Sequence, residues 1–174
     1  KRIYTWSAKP ANRNLTVADI IASKGKKKLT QVKVNSSEEA YACGKANIDM
    51  IVCAAKEVEM IRKGNDEIFL TAALGIPEYP TESDMLKAAF SALSAGADAV
   101  MTARSLSIIS LLANEDIPVM GHLGLVPRKC SWVGGVRAVG KTSDEAFELF
   151  QQFRRLEDAG AFSVEAEVIP ARVM

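Results

Sequence analysis

Six short apolar runs recur along this chain, and every gap between neighbouring runs holds a segment of helical period. The runs are Leu29–Val34, Asp49–Ala54, Ile68–Ala73, Ala99–Thr102, Val119–Gly121 and Phe162–Ala166. The segments between them are Ser36–Ala46, Lys56–Lys63, Glu82–Ala95, Leu106–Ala113 and Ser143–Ala159. Strands covered on both faces read as continuous apolar runs, and parallel neighbours need a crossover between them, so the alternation predicts a parallel sheet covered by helices. The pattern is compatible with an open doubly wound sheet and with a barrel. Its punctuation agrees with it. Met85, Ala88, Ala89 and Leu93 lie near one helical face, and Ser143-Asp144-Glu145-Ala146 reads as a helix start with acids in its first turn. Gly96 and Gly160, each inside an Ala-Gly-Ala triplet, read as helix closers.

A chain of 174 residues that is 48% hydrophobic and 25% charged can bury the core of one domain, here 1–174. Its net charge of +1 supplies no field for nucleic acid or an anionic membrane surface, and neither is expected as a partner. The basic cluster Lys24-Gly25-Lys26-Lys27-Lys28 has no interleaved aromatic residue and reads as a solvated turn. Cys43, Cys53 and Cys130 are an odd number without C-x-x-C spacing, which argues against a disulfide framework or a zinc knuckle and for a reducing cytoplasm. Cys43 and Cys53 sit among apolar neighbours, as small core residues do. No apolar run approaches the length of about 18 residues that spans a bilayer.

Chemistry concentrates in the last third of the chain. Ile117-Pro118-Val119-Met120-Gly121-His122-Leu123-Gly124-Leu125-Val126-Pro127 carries the only histidine, delivered at the end of an apolar run. Then follow Val133-Gly134-Gly135-Val136-Arg137-Ala138-Val139-Gly140-Lys141 and Phe162-Ser163-Val164-Glu165-Ala166-Glu167-Val168-Ile169-Pro170. In that order and spacing the three segments resemble the ketopantoate hydroxymethyltransferase family, within the phosphoenolpyruvate mutase and isocitrate lyase superfamily. The resemblance implies a TIM (β/α)8 barrel with its site at the C-terminal ends of the strands. A complete barrel needs eight strands and typically about 250 residues. With six strands in view, the expectation is an incomplete barrel and a truncated chain.

The resemblance further implies a transferase of pantothenate biosynthesis that passes one carbon from methylenetetrahydrofolate to a small 2-oxo acid, cytoplasmic and homo-oligomeric. Glu167 matches the family's glutamate base, suited to taking a proton next to a carbonyl. Glu165 shares its face by strand alternation. His122 matches a histidine that lines the substrate pocket; taken alone, it reads better as a hydrogen-bonded core residue. The Gly134-Gly135 turn and the run to Lys141 match a loop near the site.

At the metal the pattern breaks. The family holds Mg²⁺ through carboxylates at the ends of its second, third and fourth strands, and hard cations need oxygen ligands. Here those positions are Ala55, Ala73 and Ala103, with Met101 where the family has a lysine. Lys56 follows the second strand and Arg104 the fourth, so both are candidates for fixed positive charge in place of the metal, converging with His122 and Glu167 on a small carboxylate. Two functions stand against each other: a transferase that dispenses with Mg²⁺, favoured by Glu167 and His122, and a non-catalytic paralogue serving as a binding or assembly partner, favoured by the three alanines.

Overall fold

The computed structural model describes residues 1–174. An antiparallel hairpin, β1 (Arg2–Tyr4) and β2 (Pro10–Asn12), leads into a short helix, α1 (Val17–Ser23). The predicted alternation follows: β3 (Gln31–Lys33), α2 (Ser37–Lys45), β4 (Met50–Ala54), α3 (Val58–Gly64), β5 (Phe69–Ala73) and α4 (Glu82–Ser94). It continues with β6 (Ala99–Met101), α5 (Leu106–Asn114), β7 (Val119–Gly124), α6 (Ser143–Asp158) and β8 (Ser163–Glu167). Strands β3 to β8 pair in chain order, all parallel, and curl into six strands of a TIM-like barrel with β3 and β8 at its edges. Each crossover is a helix on the outside of the curl, as a right-twisted parallel sheet requires.

Residue alternation sorts the two faces. Ile51 and Cys53, Leu70 and Ala72, Val100 and Val119 all join the buried cluster between sheet and helices. The alternate residues Met50, Phe69 and Ala99 form a second cluster inside the curl, plugged from below by Leu15, Val17 and Ile20 of the α1 region and by Phe162. Burying each large side chain of these clusters contributes about 1.5–3 kcal/mol. The Cys53 thiol, taken from water, is pushed up to about 12, and burial also raises Cys43, so both behave as core residues.

Helix boundaries follow local chemistry. Thr16 caps α1 in a reciprocal box with Asp19, and Thr81 does the same for α4 with Asp84. Helix α6 starts at the expected serine, Ser143, and Thr142 before it is the cap, accepting from the Glu145 amide. Gly96 (φ +113°) and Gly160 (φ +97°) follow the last helical turns of α4 and α6 in the left-handed conformation, as their triplets indicated.

The floor of the barrel carries a charge cluster with no counterpart among the sequence motifs. Asp98, just before β6, accepts from Arg13 Nε at 2.7 Å, Arg62 Nη2 at 2.6 Å and the Leu70 amide at 2.9 Å. Arg13 also donates to the carbonyls of Asp66 and Gly96, and Arg62 to those of Gly96 and Ile68. Three remote stretches of chain are thereby tied together beneath the sheet.

Candidate active site

The run ending in Gly-His-Leu-Gly works by alternation. Gly121 faces outward, where an added Cβ would lie 2.4 Å from Leu156 Cδ2; its bareness lets α6 approach β7. His122 then points into the curl, Leu123 outward onto the core, and Gly124 inward again. Strand β8 runs in register beside it, pairing His122 with Glu165 and Gly124 with Glu167. Both glutamates therefore share the inner face with the histidine.

The imidazole is bracketed by the two carboxylates. His122 Nε2 lies 3.0 Å from Glu167 Oε2, and because a carboxylate only accepts, Nε2 is the donor. Nδ1 stands 3.7 Å from Glu165 Oε2, too far for a hydrogen bond. The His122 side chain is 9% exposed, against 35% for Glu167 and 47% for Glu165. Glu167 is thus an accessible carboxylate oriented by a nearly buried partner.

The backbone under Glu167 is pinned. Its carbonyl accepts from the Leu125 amide at 2.9 Å, and the next carbonyl, Val168, accepts from Val139 at 3.0 Å. Val168 has φ 49°, a left-handed conformation that is strained for a β-branched residue and sits directly beside the candidate base. The Gly134–Lys141 loop is held from its other side. Glu145 at the start of α6 accepts from Arg137 at 2.7 Å and from the Lys141 amide at 2.9 Å, and Arg137 keeps its carboxyl well down, at about 2. The loop's contact with the site is therefore through the backbone next to Glu167.

Gly124 has φ +84°, and a Cβ there would fall 2.3 Å from the Glu167 carbonyl oxygen. Gly124→Ala is expected to lower stability by about 1–3 kcal/mol through strain alone and to displace Glu167. Urea unfolding reads the first effect and a shift of the His122 ring resonances the second. Native stability with unmoved resonances would mean that this close approach does not hold Glu167.

His122, Glu165 and Glu167 line a cavity of about 390 Å³ at the C-terminal ends of the strands. Ala73, Met101 and Ala103 form part of its wall, with Lys33 from the end of β3 and Arg128 from the 3₁₀ segment Pro127–Val133. No Phe, Tyr or Trp lines it. The residues present do not fit the Mg²⁺ that the resemblance implies. Ala73 and Ala103 bring no side-chain oxygen to the cavity, Ala55 lies outside it, and Glu167 is committed to His122.

The expected convergence of four residues is met by two. Lys56 does not reach this cavity. Strand β4 ends with Ala54, the chain turns outward through the 3₁₀ turn Ala55–Glu57, and Lys56 lines a separate cleft with Tyr79, Pro80 and Asp84 against α4. Arg104 is spent on structure: its guanidinium donates to the carbonyls of Tyr79 at 2.8 Å and Pro80 at 3.1 Å, holding the loop between β5 and α4. It borders a second cavity, of about 280 Å³, which His122 and Leu123 share with α5 and α6 and which Glu167 does not reach. The cations that do line the mouth, Lys33 and Arg128, were missed. For Lys33 the signal is the alternation Gln31-Val32-Lys33-Val34: with both valines packed outward, the lysine at the strand's end must face in.

Comparison with known proteins gives a consistent picture. The sequence model described as ketopantoate hydroxymethyltransferase matches residues 45–174. A 3-methyl-2-oxobutanoate hydroxymethyltransferase of Pyrobaculum islandicum is 36% identical over 67% of this chain and 46% of its own. Another, from Caldivirga maquilingensis, is 28% identical over 91% of this chain and 69% of its own. The chain thus spans from about half to about two thirds of these relatives' length. Among solved structures, a 2,3-dimethylmalate lyase of the PEP mutase/isocitrate lyase superfamily superposes with TM-score 0.62 at 12% identity, covering 88% of this chain and 64% of its own. A phosphonopyruvate hydrolase in complex with oxalate and Mg²⁺ does so with TM-score 0.64 at 12% identity, covering 88% and 63%. At such identities the superpositions speak for the fold alone.

Proposed function

Since the chain belongs to the ketopantoate hydroxymethyltransferase family, we propose that it is a transferase of that kind, acting on a small 2-oxo acid without the family's metal. The observation that carries this reading is the 3.0 Å contact between His122 and Glu167 on the inner face of the strand ends, open to a cavity sized for a small acid.

The chemistry is enolisation followed by carbon–carbon bond formation. Glu167 takes the proton from the carbon next to the 2-oxo group; the C–H electron pair becomes the carbon–carbon double bond, and the carbonyl pair moves onto oxygen. His122 donates to Glu167 through Nε2, which orients the carboxylate towards the incoming C–H. The enolate carbon then attacks a one-carbon unit at the oxidation level of formaldehyde: the C–C bond forms, the 2-oxo carbonyl is restored, the C=O pair of the one-carbon unit moves onto its oxygen, and that oxygen takes the proton back from Glu167. Methylenetetrahydrofolate is the donor the family implies, but the cavity offers no Phe, Tyr or Trp on which a pterin could stack. The acceptor half of the reaction is the half these residues support. Three unpaired cysteines and the absence of any helix long and apolar enough to cross a membrane agree with a cytoplasmic enzyme. Phe147 and Phe150, exposed on α6, support a homo-oligomer.

The test is proton exchange. In D₂O the protein is expected to remove the C3 proton signal of 3-methyl-2-oxobutanoate faster than buffer alone, with a chelator present. The alanines at 55, 73 and 103 favour a second reading, a non-catalytic paralogue. Exchange at the buffer rate, with no calorimetric binding of the acid, would establish that reading instead.

A further inference from the structure

We propose that Lys33 and Arg128 replace the divalent cation of the site, anchoring the carboxylate of the 2-oxo acid and the oxygen charge that develops when it enolises. The identity of the acid rests on the transferase reading above; the anion anchor itself does not. Lys33 stands at the end of the first strand of the sheet and Glu165 and Glu167 at the end of the last, yet the curl brings all three to one cavity. The neighbours of Lys33 fix its direction, for Val34 is fully buried and Val32 packs against the core on the helix side. Arg128 enters the same cavity from the segment that follows β7, directly after Pro127.

Both cations are uncommitted. Neither takes part in any ion pair of the molecule. Arg13, Arg62, Arg104 and Arg137, in contrast, are each tied to carboxylates or carbonyls. The acids of the same cavity are not their partners either, since both sit against the His122 ring. The cavity therefore carries both signs, with two positive groups outside any ion pair and two carboxylates set against one imidazole.

That mixture of charge has a chemical consequence. A small acid entering carboxylate-first towards Glu165 and Glu167 meets like charge, whereas Lys33 and Arg128 attract its carboxylate. Binding in that sense leaves the far end of the acid, with its acidic C–H, towards Glu167. A guanidinium matches a carboxylate with two parallel donors, and a lysine supplies a compact charge for an enolate oxygen. Fixed cations aimed at developing charge stabilise it without metal coordination. Ala73 and Ala103, at two of the family's metal positions, leave the space that such long cationic side chains need.

Calorimetry with two probes tests this: oxalate, a planar dianion that mimics the enolate, and 3-methyl-2-oxobutanoate, both with a chelator present. Lys33→Met and Arg128→Met are each expected to weaken binding of both probes by about 10–100-fold, the loss of one charge-assisted contact. Lys33→Arg should recover most of the affinity. Lys63→Ala, which removes an exposed charge paired with Glu59 on α3, should change nothing, and added Mg²⁺ should not tighten the wild type. Wild-type binding that stays within twofold in both methionine variants overturns the anchor and leaves the transferase reading standing, whereas binding that appears only with Mg²⁺ overturns both the anchor and the metal-free reading. Oxalate binding that depends on Lys33 and Arg128, without any proton exchange in the 2-oxo acid, upholds the anchor and removes the transferase. If neither probe binds, both fall.

Discussion

Asp98→Ala is expected to destabilise the fold by about 3–5 kcal/mol, the loss typical of breaking a buried ion pair from one side. The Asp98 side chain is 9% exposed, and its two partners are nearly as enclosed, Arg13 at 4% and Arg62 at 10%. Burial holds the Arg62 guanidinium below its ordinary range, against the raising effect of Asp98. Removing the carboxylate leaves two enclosed guanidiniums repelling each other, with only carbonyls to accept from them. The Leu70 amide at the start of β5 loses its acceptor too. Urea unfolding should show a lower midpoint with an unchanged slope, the sign of lost stability rather than a changed unfolded state. Glu157→Ala provides the contrast. Its pair with Arg154 is 58% exposed on both sides, and such surface pairs contribute about 0–1 kcal/mol. A loss at Asp98 no larger than at Glu157 would mean that the cluster does not hold the N-terminal hairpin against the barrel floor. The cluster lies at the N-terminal ends of the strands, away from the mouth, so the variant should keep its site chemistry at temperatures where it stays folded.

Why that cluster escaped the sequence, while the barrel did not, has a physical explanation. Strands and helices of this sheet are announced locally: apolar runs for strands buried on both faces, helical period between them, glycines closing α4 and α6. The strand order of the curl follows chain order, and every one of the six runs became a strand. Asp98, Arg13 and Arg62 meet across 85 and 36 residues of sequence, and each reads alone as an ordinary surface charge. The first hairpin has three residues per strand, too few for alternation to show. Helix α1 did carry a legible sign, Thr16 and Asp19 at capping-box spacing. In the site, Glu167 and His122 could be placed on one face by alternation and by resemblance together. Lys56 could not, because alternation holds only while the strand lasts, and β4 ends two residues earlier. Arg104 shows the other limit. A cation near a strand end can serve a ligand or its own loop, and only the carbonyls of Tyr79 and Pro80 decide which.

Glu167→Gln is expected to slow proton exchange in 3-methyl-2-oxobutanoate by about 10²–10⁴-fold, the usual worth of a positioned general base. The amide has nearly the shape of the carboxylate, and its oxygen can still accept from His122 Nε2, so the strand end and the imidazole should stay in place. What it lacks is a site for the incoming proton. Binding of oxalate should accordingly remain within about twofold of wild type, or tighten slightly as one negative charge leaves the cavity. Glu165→Gln separates the two carboxylates. Glu165 is more exposed and stands 3.7 Å from the imidazole, without a hydrogen bond to hold its geometry. Because catalysis by a base depends on its fixed position relative to the proton, that variant should lose less than about tenfold. Equal losses at the two positions would make the pair, rather than Glu167, the unit that accepts the proton. Undiminished exchange in Glu167→Gln would instead move the base to the other carboxylate against the ring, and His122 would then serve Glu165 through Nδ1.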